Sequence, residues 1–332
     1  MPRELSLAEI FQMGYYWETK ILLTAVKLEL FSALDEGSDS PAGLARRLSL
    51  NERALSLLVN ALVAMRILTK QEECVANTSV SQKHLVKTSP DYVGHLLVLH
   101  DSEWANWGRL EETVRTGIAP VRQHLFETNP EMGANVLAVL DRVGRGSGVN
   151  LAQFLQLDGG EHMVDVGGGA GTNAIAFCRA YPSLKATVFD LPQTLKVTGQ
   201  YIREAGLEDR IALQPGNFNT DSWGGPYDLA LLSDILHYQS AHANARLVEK
   251  AFSHLTALGR VLIKDRFLDQ DRTSPAWTTA FAVHILVNTE QGECFTTQDA
   301  MQWMTQAGFG SVTELAPRAI VQGIKPRGGG DG

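Results

Sequence analysis

The run Met163–Asn173, MVDVGGGAGTN, constrains this chain more than any other stretch. Glycines at 167, 168, 169 and 171 follow the short apolar segment Met163-Val164-Asp165-Val166, and a helical pattern starts at Ile175-Ala176-Phe177. The glycines therefore occupy a strand-to-helix turn, the signature unit of an α/β architecture. With no Cβ in the way, backbone amides and the positive end of the following helix can face a strongly polar ligand. Packing glycines this densely costs backbone entropy that a plain connecting turn would not require, so the turn reads as a binding loop.

Spacing narrows the ligand. The dinucleotide fingerprint GxGxxG, counted from Gly167, requires a glycine where Thr172 stands. The pattern that fits is DxGxGxG, formed by Asp165, Gly167, Gly169 and Gly171, and it resembles the first motif of S-adenosylmethionine (SAM) dependent methyltransferases. Asp190 ends the next apolar run, Ala186-Thr187-Val188-Phe189, at a place where a carboxylate can accept both hydroxyls of a ribose.

At 332 residues the chain exceeds one ordinary domain, so a larger and a smaller unit are expected. A net charge of -8 argues against nucleic acid as the main partner. Cys74, Cys178 and Cys294 are widely spaced with no CxxC, which fits a reducing compartment and excludes a cysteine-rich metal site. The N-terminus carries no secretory pattern, and the most apolar helix, 21 to 34, is interrupted by Lys27 and Glu29. A cytoplasmic protein without a membrane partner is the expectation.

Residues 7 to 34 read as helical, with Ile21, Leu22, Ala25, Val26 and Leu28 on one face. Ser40 and Asn51 are placed to cap helices beginning at Pro41 and Glu52, and 67–69 with 74–76 can form the strands of a small wing. This is a winged-helix pattern. Its would-be recognition helix offers Glu52, Arg53 and Arg66 among apolar residues, not the basic face that a major groove requires. Packing against a second copy of the chain accounts better for the apolar surplus. A long helical region from Tyr92 to Gly117 then sets Trp104, Trp107 and Leu110 on one face, either as a ring-lined wall or as core. Phe126 and Met132 are placed near a small-molecule acceptor.

Beyond residue 160 strand and helix alternate, as a parallel sheet requires, with strands at 162–166, 186–190, 211–214, 227–232 and 260–265. A closing antiparallel pair follows at 311–315 and 319–324. Ligands of open α/β sheets sit at the carboxyl ends of the strands, so the residues leaving those ends matter most. They are the glycine turn, Asp190 with Leu191, Asn217 with Phe218, Ser233 through His237, and Asp265. Asn217 and Phe218 can hold and stack an adenine. A neutral imidazole at position 237 can take a proton from an acceptor hydroxyl, because imidazole titrates near neutrality, and Asp265 can fix its tautomer.

With these residues assembled, the chain from Phe11 to Lys325 resembles the two-domain small-molecule O-methyltransferases of the caffeic acid and hydroxyindole type, in their bacterial branch. The resemblance rests on WANWGRL at 104 to 110, VDVGGGAGTN, FDLP at 189 to 192, LSDILH at 232 to 237 and QAGF at 306 to 309. It implies a Rossmann-like seven-stranded methyltransferase sheet at 156–326, an N-terminal winged-helix dimerisation domain at 1–90, linker helices of the acceptor pocket at 91–155 and a disordered tail at 327–332. It also implies SAM as cofactor, S-adenosylhomocysteine as product, a homodimer, His237 as general base for a small aromatic hydroxyl acceptor, and Asp265 as its orienting carboxylate. Three departures from the family pattern stand out. Asn217 replaces an aspartate, Tyr238 replaces another, and Cys294-Phe295-Thr296 stands where a Glu-Arg-Thr triplet is usual, with Glu293 one place early. Phe281 and His284, on a helix expected at 275–287, join the acceptor-side residues. No resident metal is expected, yet an imidazole pair formed by His237 and His284 leaves open a metal-assisted C-methylation of an α-keto acid. A SAM-sensing winged-helix regulator is the non-enzymatic alternative.

Overall fold

The computed structural model describes residues 4–120 and 129–327, without the side chains of 146–150, 153 and 154. Phe126 and nearly all of the expected tail lie outside the described residues. The chain divides into two compact units, Met1–Trp104 and Ala105–Gly332.

In the first unit the expected continuous helix over 7–34 is three helices, Leu7–Met13, Trp17–Lys27 and Leu30–Ala33. Gly14 closes the first, and Glu29, in the left-handed region at φ 58°, turns the chain between the second and third. Tertiary packing drives that break: Leu30, Phe31 and Leu34 bury completely beside Ala25, Leu44, Val59 and Leu62, a cluster that an unbroken rod could not feed with both halves. The capping residues act as read. Ser40 Oγ accepts from the Gly43 amide at 3.0 Å and Asn51 Oδ1 from the Ala54 amide at 2.9 Å. Helices Pro41–Arg47 and Glu52–Ala64 lead into the antiparallel strands β1 (Leu68–Gln71) and β2 (Cys74–Asn77), the wing of the winged-helix pattern.

The region 92–117 is likewise not one helix but three short ones, Gly94–Ser102, Trp104–Trp107 and Leu110–Thr116. Within the first unit Asp101, largely buried, accepts hydrogen bonds from Lys20 at 2.5 Å and Lys27 at 3.0 Å, fastening Gly94–Ser102 to Trp17–Lys27. Those two lysines hold its carboxyl below the usual range against the opposing effect of burial. The segment around the first helix behaves oppositely: Leu7, Ile10, Phe11, Met13, Tyr15, Tyr16 and Trp17 are all exposed.

The second unit is built on a seven-stranded sheet of order β5-β4-β3-β6-β7-β9-β8. Strands β3 (His162–Val166), β4 (Lys185–Asp190), β5 (Ile211–Pro215), β6 (Tyr227–Ser233) and β7 (Leu255–Lys264) run parallel. β9 (Ile320–Ile324) pairs antiparallel with both β7 and β8 (Ser311–Ala316). β7 begins five residues before the expected 260 and ends at Lys264, so Asp265 lies just past the strand and not in it. Strand alternation divides the core. Met163, Val188, Leu229 and Leu231 pack on one face with Ala174, Phe177 and Ile202, and Val164, Val166, Ala230 and Leu232 pack on the other with Val248, Ala251 and Met304. The order reverses between β3 and β6, which places a topological switch point at the carboxyl ends of those two strands.

Candidate active site

Both sequence features singled out for function converge on that switch point. Gly167, Gly169 and Gly171 have φ of 65°, 56° and 78°, a conformation that residues with side chains adopt only at a cost, which explains their spacing. A Cβ on Gly167 would also come within 2.9 Å of Ile235 Cγ2 and 3.6 Å of the Phe218 ring. The turn is thus in contact with the segment that leads to His237, and with one of the residues expected to stack a base.

Acidic side chains hold the turn. Asp190 Oδ2 accepts from the Gly169 amide at 2.8 Å and Oδ1 from the Leu191 amide at 2.7 Å. Burial nevertheless raises its carboxyl above the ordinary range, the two amides opposing that shift. Asp165 is 1% exposed, receives the Ala174 amide at a long 3.3 Å, and leaves Oδ1 without a hydrogen-bond partner. Burial pushes its carboxyl up to about 7, and the charge of Asp190 adds to the rise. Thr198 Oγ1, not foreseen, donates to the Gly169 carbonyl at 2.6 Å. Leu191 is exposed at the rim, and Ser233 Oγ donates to Asp234 Oδ2 at 3.1 Å. Asn217 turns its side chain inward on its own loop, accepting from the Asn219 amide at 2.9 Å.

This set fits a nucleoside-bearing cofactor. The fit rests on a glycine cradle that a Cβ would fill, an orphaned buried carboxylate oxygen beneath it, a carboxylate at the end of the second parallel strand, and a ring beside the first glycine.

On the other side of the switch point, His237 and Asp265 are 3% and 7% exposed. His237 Nδ1 donates to Asp265 Oδ1 at 2.7 Å, leaving Nε2 as the basic nitrogen of that tautomer. Asp265 is well supplied: Oδ1 also accepts the Arg266 amide at 2.7 Å, and Oδ2 the Leu236 amide at 3.1 Å. Burial would raise its carboxyl, but His237 and the Arg266 amide outweigh burial and hold it low.

Two supports of this pair went unread in the sequence. Asn244, fully buried, donates from Nδ2 to the Leu236 carbonyl at 2.9 Å and accepts from Gln239. Gly292 presses on the same short segment, where a Cβ would stand 2.4 Å from the His237 carbonyl oxygen. Asn244 carried a visible signal, since it falls in the apolar stripe of Ala241–His254 with Leu247, Val248 and Ala251. Glu293 is exposed and makes no described hydrogen bond to His237; the buried side chain there is Cys294, its thiol pushed up to about 12 by burial and by the nearby Asp265 charge.

The helix Ala276–Asn288 brings rings to the pair. Phe281 stands edge-on to His237 at 5.1 Å, stacks on Trp277 at 5.1 Å and on His284 at 5.8 Å, and lies under the Arg266 guanidinium at 5.1 Å. Trp107 is 6.2 Å from His284. Below them Asn106 Nδ2 donates to Asn288 Oδ1 at 2.8 Å, a buried amide pair. Trp104, in the first unit, packs against Tyr16 at 5.7 Å and under Lys20 at 4.7 Å. Met132, near the start of the helix Pro130–Phe154, donates its amide to the capping Asn129 at 3.0 Å. Among the described residues no three His, Cys, Asp or Glu side chains are grouped to hold a metal ion, and no helix is long and apolar enough to cross a membrane.

Comparison with known proteins agrees with this geometry. Residues 117–310 match the O-methyltransferase domain and residues 11–87 the O-methyltransferase dimerisation domain. The tetracenomycin polyketide synthesis 8-O-methyl transferase TcmO of Streptomyces glaucescens is 31% identical over 322 residues, 94% of each chain. The 3-hydroxy-5-methyl-1-naphthoate 3-O-methyltransferase of Streptomyces sahachiroi is 31% identical over 93% of this chain and 92% of its own. Among solved structures, an O-methyltransferase family protein from Burkholderia thailandensis superimposes with a TM-score of 0.87 at 26% identity, covering 98% of this chain and 100% of the other.

Proposed function

Because this chain belongs to the SAM-dependent O-methyltransferase family, we propose that it methylates a hydroxyl of a small aromatic acceptor, with His237 as general base. The observation that carries the proposal is the buried His237–Asp265 pair at 2.7 Å, on a segment whose Ile235 lies against Gly167 of the cofactor turn. SAM supplies a methyl group bonded to a positively charged sulfur, open to in-line attack by an oxygen nucleophile.

The chain's own residues then have three tasks. Gly167, Gly169 and Gly171 present bare backbone to the cofactor, with Asp190 at the ribose and Phe218 against the base. Phe281, Trp107 and the other rings near His237 give an aromatic acceptor flat surfaces and exclude water. His237 Nε2 accepts the hydroxyl proton as the oxygen attacks, and Asp265 holds the ring in the required tautomer and stabilises the imidazolium. Alignment of the two reactants contributes most, about 7 to 11 kcal/mol, with the base adding roughly 10²- to 10⁴-fold.

The names of the two Streptomyces relatives favour a fused-ring phenolic acceptor. The metal-assisted alternative is disfavoured because the Phe281 ring stands against both imidazoles and, among the described residues, no third ligand joins them. A homodimer formed through the first unit accords with the dimerisation-domain match and the exposed apolar row from Leu7 to Trp17, and unpaired cysteines accord with a cytoplasmic setting. Incubation with SAM and a panel of hydroxynaphthoates, hydroxylated anthraquinones, simple phenols and α-keto acids, read as S-adenosylhomocysteine formed, tests the reading. Turnover of fused-ring phenols without added metal is expected. Turnover of keto acids alone, abolished by chelator, would replace it.

A further inference from the structure

The glycine turn is gripped from a second direction that none of the cofactor motifs includes. Asp141, on the helix Pro130–Phe154, is 4% exposed, and its Oδ1 accepts from Thr172 Oγ1 at 2.7 Å. Thr172 is the first residue of the helix Thr172–Ala180, immediately after Gly171. Oδ2 of Asp141 accepts from Arg145 Nε at 2.9 Å and Nη2 at 2.7 Å, so both oxygens are occupied and the carboxylate cannot swing away without losing three bonds. One turn earlier on the same helix, Leu137 Cδ2 lies 3.3 Å from where a Cβ of Gly169 would stand, and a Cβ on Gly144 would lie 3.6 Å from Thr172 Cγ2. Positions 137, 141 and 144 are one helical face. That face contacts the turn at its middle and at its exit.

The turn is also fixed by backbone bonds, Gly167 N to Phe189 O at 2.8 Å and Gly171 N to Gly168 O at 2.9 Å, and the Thr172 hydroxyl adds a side-chain tie at its exit. Glycines in the left-handed region lose more freedom on ordering than any other residue, so an unrestrained turn must be ordered at the expense of binding energy. Asp190 and Thr198 fix Gly169 from the side of β4. The hydroxyl of Thr172 bonds instead to the helix Pro130–Phe154, through Asp141. A negative side chain at the first residue of a helix is also favourably placed against the helix dipole.

We propose that Asp141 is a positioning residue for the cofactor: through the hydroxyl of Thr172 it holds the exit of the glycine turn in its binding geometry. The helix Pro130–Phe154, which reaches back to Met132 on the expected acceptor side, is thereby part of the cofactor site. Cofactor binding and the set of that helix are then coupled.

Calorimetric titration of the full-length protein with S-adenosylhomocysteine is the test, since it needs neither acceptor nor turnover. Thr172→Val removes the hydroxyl and keeps the shape; its Kd is expected to rise about tenfold, as losing a charge-assisted hydrogen bond predicts. Thr172→Ser is expected to restore the wild-type Kd to within about twofold. Asp141→Leu, nearly the same size and without an acceptor, is expected to weaken binding similarly, and the double variant Asp141→Leu with Thr172→Val no more than either single one, because both break the same contact. A thermal melt of each variant separates folding from binding. An unchanged Kd in Thr172→Val, a failure of Thr172→Ser to restore it, or additive effects in the double variant would each overturn the proposal.

Discussion

Two buried aspartates stand just past or near the ends of parallel strands in the same sheet, and they are held in opposite states. Asp265, after β7, receives His237 Nδ1 and the amides of Arg266 and Leu236, and is held low. Asp165, in β3, receives one long bond from Ala174, keeps an orphaned oxygen, and is pushed up to about 7. Burial is nearly complete at both, so burial does not decide the difference. The neighbours do: the charge and hydrogen bond of His237 and the amide of Arg266 lower Asp265, whereas the Asp190 carboxylate adds to the rise at Asp165. Three hydrogen bonds with basic neighbours keep a buried carboxylate an anion, and a single weak bond beside another carboxylate leaves it close to neutral.

The comparison can be broken first at its catalytic end. His237→Gln is expected to lower kcat by about 10³-fold while the Kd for S-adenosylhomocysteine, measured by calorimetry, stays within about twofold. A loss of less than about tenfold would remove the imidazole from the chemistry. Next, Asp265→Ala leaves His237 buried without its partner and is expected to cost about 3 kcal/mol in urea unfolding. The sign with pH follows from a depressed carboxyl: the stability that Asp265 contributes is present above its unfolded value of about 4 and is lost as pH falls through the folded value, so variant and wild type should converge in acid.

Smaller effects sharpen the other end. Gly167→Ala places a Cβ at φ 65° against Ile235 and is expected to weaken S-adenosylhomocysteine binding about tenfold by calorimetry, with a modest fall in melting temperature. Asp165→Asn should do what no substitution at Asp265 can, and stabilise the protein without cofactor, by about 1 kcal/mol above pH 7. A raised carboxyl costs nothing below about pH 4, where both states are protonated, and its cost grows up to pH about 7, so the gain over wild type should vanish in acid. Melts across that pH range decide it. If Asp165→Asn destabilises at every pH, the buried carboxyl of Asp165 is not held at a cost to the fold.

Much of this was legible because it is local. The glycine spacing at 167, 169 and 171 reports backbone φ directly, and the short apolar runs fixed the five parallel strands to within a few residues, β7 excepted. His237 and Asp265 were readable as residues leaving adjacent strand ends. What was lost depends on distant partners. The break at Glu29 follows from burying Leu30 and Phe31 in a shared core. Gly292 looks like an ordinary loop glycine until the His237 carbonyl is placed against it, and the Asp141–Thr172 bond joins residues 31 positions apart. No periodicity carries such information.

The hairpin of β8 and β9 braces one half of the site. β9 lies beside β7, and the amides of Asp265 and Phe267 donate to the carbonyls of Ala319 and Arg318 at 3.1 and 3.2 Å. The loop bearing Asp265 is therefore clamped by the turn that joins β8 to β9. The glycine turn draws its frame from β3 and β4 instead, so loosening the hairpin would disturb the loop of Asp265 while leaving the glycine turn its own support.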